Sequence, residues 1–157
     1  MKISELKQLR PTSFMTIAAI FTKRINEITH DNYADFFERA HADVLIQSTT
    51  NEAVTFQFKQ DELAFVDASF GFRETRLASL QLKFVPVGYF KKKRTWLLQK
   101  ELVVFVTQFP AQEVISEDDH AALSTRIFTV DDLTITVTVD KDPQRGNFFL
   151  TLRVDKA

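Results

Sequence analysis

The spacing of apolar residues changes near residue 43. Before it they recur every three or four positions, and after it they alternate. Ile3, Leu6 and Leu9 fall at helical spacing, and Pro11 supplies a stop. Thr12 or Ser13 caps a second predicted helix, which places Phe14, Ile17, Ala18, Phe21, Ile25 and Ile28 on one face. Asp31 or Asn32 opens a shorter one carrying Tyr33, Phe36, Phe37 and Ala40.

Beyond Asp43 the pattern is that of strands. Residues 44–48 form the first, and residues 49–52 a turn. Val54, Phe56 and Phe58 then alternate with Thr55, Gln57 and Lys59, which predicts a sheet with one wet side. Ala64, Val66, Ala68, Phe70 and Phe72 share a side, opposite Asp67 and Ser69. After the charged turn at 73–76, Leu80, Leu82 and Phe84 alternate with Gln81 and Lys83, and Pro86 marks an edge position or the strand's end. The last two strands are the plainest. Leu133, Ile135, Val137 and Val139 interleave with threonines, and a turn containing Pro143 and Gly146 leads to Phe148, Leu150, Leu152 and Val154. A short strand over 126–130 precedes them, and the 116–119 run suits the first turn of a short helix.

Residues 101–109 are apolar on both sides of an extended chain, with Leu102, Val104 and Val106 on one and Val103, Phe105 and Phe109 on the other. A strand of that kind must be covered on both faces, so the pattern predicts the central strand of the sheet. Residues 88–95 become the loop leading into it. The expected fold is therefore one α+β domain over residues 1–157. N-terminal helices pack on a curved, mostly antiparallel sheet of about seven to eight strands.

Composition adds constraints. The 157 residues contain no cysteine, which excludes disulfides and thiolate metal sites and fits a reducing, cytoplasmic setting. The N-terminus shows no signal-peptide pattern, and no apolar run approaches the ~18 residues of a membrane span. Phenylalanine occurs 16 times against two tyrosines and one tryptophan, which points to a heavy core, an apolar pocket or a subunit interface. Charge is segregated. Residues 71–100 hold eight cations and one acid, whereas residues 101–143 hold nine acids and two cations.

Two clusters carry what chemistry the sequence offers. Lys91, Lys92, Lys93 and Arg94, flanked by Tyr89, Phe90 and Trp96, suit a protein partner, a phosphate-bearing ligand or unpaired bases, or simply keep a loop solvated. Glu113, Glu117, Asp118, Asp119 and His120 form an acidic interaction patch whose spacing matches no metal-binding motif. The basic patch of one subunit can meet the acidic patch of another. His30 beside Asp31, His41 near Glu38 and the strand acid Asp67 give no catalytic constellation, and no phosphate-cradling glycine loop exists. No cofactor or metal is implied. The sequence points first to a non-catalytic interaction or self-assembly module, a homo-oligomer or the docking site of another protein. An apolar-ligand domain with a Phe-lined pocket is the second reading, and a single-strand nucleic-acid binder using residues 89–96 is the third.

Overall fold

A computed structural model describes residues 13–38, 43–50, 52–114 and 122–157; the helix expected over residues 2–10 and the acidic helix turn at 116–119 lie outside them. Helix α1 runs Ser13–Lys23 and α2 Tyr33–Glu38. Strands β1 (Asp43–Thr49), β2 (Ala53–Asp61), β3 (Ala64–Arg73) and β4 (Arg76–Pro86) follow, then helix α3 (Lys91–Thr107). Strands β5 (Gln112–Val114), β6 (Ser124–Val130), β7 (Leu133–Lys141) and β8 (Phe148–Lys156) complete the order.

The α1 face forms as its periodicity predicts. Phe14, Ile17, Ala18 and Phe21 are fully buried, and Ile25 and Ile28 continue the apolar line past the helix end. The helix is shorter than the pattern, stopping at Lys23. α2 begins at Tyr33, directly after Asn32, where the sequence put its start. The Thr29 Oγ1 accepts the Asn32 N–H and the Asn32 Oδ1 accepts the Thr29 N–H, a reciprocal cap that satisfies two donors at the helix start.

The eight strands form one sheet in the order β1-β2-β3-β4-β8-β7-β6-β5, antiparallel at every step. It is two four-strand meanders, each preceded by helix, joined where β4 meets β8 with Leu82 opposite Leu152. The sheet is neither curled nor closed, which corrects the expected curvature. The physical reason lies in how the apolar face is covered. A sheet must curl when it has to enclose its own core, but here helices shield one face and the other is polar enough to face water.

The second correction concerns residues 101–109, which continue α3 instead of forming a strand. Thr95, Leu98, Gln99, Leu102, Phe105 and Val106 are buried at helical spacing, while Val104 is 60% exposed. Strand β4, not this segment, lies at the middle of the sheet, so Pro86 marks a strand end and not an edge. The three-residue β5, unforeseen in the sequence, forms one edge and β1 the other.

The phenylalanines make a filled interior. Phe14 meets Phe84 edge-on at 6.2 Å, Phe21 stacks on Phe70 at 4.3 Å, and Phe56 meets Phe70 at 5.0 Å. Each ring fully removed from water contributes about 1.5–3 kcal/mol. None of the described helices is long and apolar enough to cross a membrane.

Candidate functional site

The most exposed large apolar residues sit where β4 hands over to α3. Gly88 adopts φ 76°, and a side chain there would press on Leu63, to whose carbonyl the Val87 N–H is bonded at 2.8 Å. The turn is thus pinned to the β2–β3 connection. Phe90 precedes α3 in a left-handed conformation, φ 64°, with no side-chain cap. Such a backbone is uncommon for a residue with a Cβ. It leaves Tyr89 81% and Phe90 72% exposed, side by side.

The four cations that follow form the first turn of α3 rather than a hairpin loop. That turn carries no acid. Cations are disfavoured by the positive end of a helix dipole by about 0.3–1 kcal/mol each, so the arrangement concentrates positive potential at some cost. The four do not act alike. Arg94 pairs with Asp61, donates to the Leu63 carbonyl at 2.9 Å and lies over the Phe84 ring. Lys91 donates to Asn147 Oδ1 at 2.8 Å, fastening the corner to the β7–β8 loop. Lys92 reaches toward the Phe148 ring from an exposed position, and Lys93 is exposed. Trp96 packs half-buried against the core. Tyr89, Phe90, Lys92 and Lys93 are therefore presented outward, while Lys91, Arg94 and Trp96 build the corner.

Of the acidic cluster, Glu113 lies on β5, and Glu117, Asp118, Asp119 and His120 lie outside the described residues. Glu113 is engaged within the chain. Arg126 on β6 donates through Nε at 2.8 Å and through a terminal nitrogen at 2.9 Å, a two-pronged pair across the sheet edge. These hydrogen bonds hold the Glu113 carboxyl below its usual 4.5 against a weaker upward push from desolvation, and they raise Arg126. The basic corner and Glu113 thus each satisfy part of their charge locally.

Groups considered for catalysis are dispersed. His30 Nε2 contacts the Thr50 carbonyl at 2.8 Å and its ring packs on Phe72 and Tyr33, so it bonds away from Asp31. Asp67 accepts a hydrogen bond from Gln57 at 2.7 Å in a shallow depression of about 350 Å³ on the wet face of the sheet, beside Gln81 and Lys83. His41 lies outside the described residues, and among those described no three potential metal ligands stand together.

One feature escaped the sequence because it needs two elements at once. An open groove of about 730 Å³ runs between α1 and α3, walled by Met15, Ala19 and Ile20 on one side and by Lys100, Glu101 and Val104 on the other. Compared with family profiles, curated proteins and solved structures, the chain matches none.

Proposed function

We propose that this protein is a non-catalytic interaction module that docks an acidic protein partner at the β4–α3 corner. The observation that carries the reading is the pair Tyr89 and Phe90, both largely exposed on a strained, pinned turn beside Lys92 and Lys93. Exposed aromatics ringed by charge are the composition of binding hot spots, where the ring supplies buried area and the cations supply steering. A rigid turn lowers the ordering cost of binding. Nucleic acid is the weaker occupant, because Lys91 and Arg94 are spent on Asn147 and Asp61, which halves the free charge of the run. The absence of cysteine supports a reducing, cytoplasmic setting as part of the same proposal.

The test compares partners recovered by cross-linking with the wild-type chain and with the double variant Tyr89→Ala/Phe90→Ala. The expected result is loss of the partner with an unchanged circular dichroism spectrum. Lys92→Glu/Lys93→Glu weakens the same complex and flattens its salt dependence. Equal recovery by wild type and both variants would overturn the reading. Light scattering then shows whether the partner is a second copy, in which case the mass falls as salt rises.

A further inference from the structure

The β7–β8 turn brings a second set of cations beside the corner. Lys92 of α3 and Lys141 of β7 converge on one ring, with their Nζ atoms 6.0 Å and 5.7 Å from the centre of Phe148. The face of a ring attracts both ammonium groups but supplies no counter-charge. The acids of the turn are engaged by backbone. Asp140 accepts the Lys141 N–H at 2.8 Å, and Asp142 accepts those of Gln144 at 2.9 Å and Arg145 at 3.3 Å. The bonds from Gln144 and Arg145 hold the Asp142 carboxyl below its usual range. Among the described residues, Lys92, Lys93, Lys141 and Arg145 form no salt bridge, and all four are exposed.

The turn that presents them is closed on itself. The Asp142 N–H bonds to the Asn147 carbonyl at 2.8 Å and the Gly146 N–H to the Asp142 carbonyl at 2.7 Å. Gly146 stands at φ 69°, where a side chain would press on Lys141 at 3.3 Å. Asn147 also accepts the Lys91 ammonium, so turn and corner form one continuous surface.

We infer that the docking surface continues from the corner across Phe148 onto the β7–β8 turn, where Lys141 and Arg145 join Lys92 in receiving carboxylates from an acidic segment of the partner. This rests on the corner reading and extends it. Like charges held near one ring repel, and an opposite charge arriving among them relieves that repulsion. Asp140 and Asp142 interrupt the positive surface, which suits spaced carboxylates and disfavours an unbroken run of phosphates.

The test titrates the isotope-labelled full chain with a decaglutamate peptide, read by NMR. Expected are shifts at the amides of Lys141, Gly146 and Phe148 as well as at Tyr89–Lys93, and binding weakened about fivefold or more by Lys141→Glu/Arg145→Glu. The same charge change elsewhere, in Lys59→Glu/Arg153→Glu, should weaken it by less than about twofold. Shifts confined to the corner, or an equal loss in both double variants, overturn the inference and leave the corner reading standing. Absence of any shift overturns the inference as well, whereas the corner reading stands or falls on the cross-linking comparison. Tighter binding of a ten-nucleotide oligothymidylate at the same residues would make nucleic acid the occupant and likewise overturn it.

Discussion

At the scale of single residues, four described non-glycine residues have a positive φ, and two of them are adjacent. The β3–β4 turn consists of Glu74 at φ 52° and Thr75 at φ 69°, a left-handed pair that normally recruits Asn and Gly. Thr75 is β-branched, the residue type least suited to that region. It persists because its carbonyl accepts the His30 N–H at 2.8 Å and the neighbouring Arg76 bridges to Thr29, tying the hairpin tip to the start of α2. Thr75→Gly keeps that carbonyl and relieves the strain, so the variant should be more stable by about 0.5–1 kcal/mol in urea titrations. The other residue-scale prediction concerns pH. Because folding lowers the Glu113 pKa, its contribution is present above the unfolded value and is lost as pH falls through the folded one, below about 4.5. The Glu113 carboxyl shift followed by NMR should titrate below the usual carboxylate range. Arg126→Ala should return it there, with fraying of the short strand β5.

At the scale of elements, α3 shows where alternation misleads. Its exposed side carries Leu97 and Val104 in addition to the buried Leu98, Leu102, Phe105 and Val106, so apolar residues occur almost all round. Over residues 102–106 every side chain is apolar and none marks the wet face, so neither period dominates there, and the β-branched content tilts the reading toward a strand. The polar positions that break the tie, Gln99 and Thr95, are buried and satisfied. Gln99 donates to Ser124 Oγ at 3.0 Å, and Thr95 donates to the Lys91 carbonyl at 2.7 Å. Pairings of that kind are invisible along the chain. The strands were legible for the opposite reason. In β2, β3, β4, β7 and β8 most alternate residues are polar and outward, with Phe65, Val85 and Phe149 as apolar exceptions, so sidedness alone identified the buried set. Of the candidate site, the exposed aromatics and cations were readable as composition. Which cations are spent on Asp61 and Asn147 depends on turns brought together by the fold. A pair of substitutions separates helix from strand experimentally. Leu102→Ala should cost about 2–5 kcal/mol and Val104→Ala no more than about 0.5 kcal/mol, whereas a strand would bury both on one side.

At the scale of the whole molecule, eight strands in an open sheet leave two edges that need guarding. β5 is only three residues long and carries the Glu113–Arg126 pair, a short and charged border. Inside the sheet, the two meanders meet along β4 and β8, from Ser79 opposite Asp155 to Phe84 opposite Leu150. Every other neighbouring pair except β1–β2 and β5–β6 lies between the sheet's inner strands, and all of those others join strands consecutive in sequence. The seam alone joins residues about seventy positions apart. Closing so long a loop is entropically slow, so the two hairpin arrays should organise early and their joining should limit the refolding rate. β8 comes last of the sheet's eight strands in chain order, so until it arrives β4 remains a bare apolar border beside a finished meander. A chaperone that recognises this protein would find its target there, in a half-made sheet awaiting its middle.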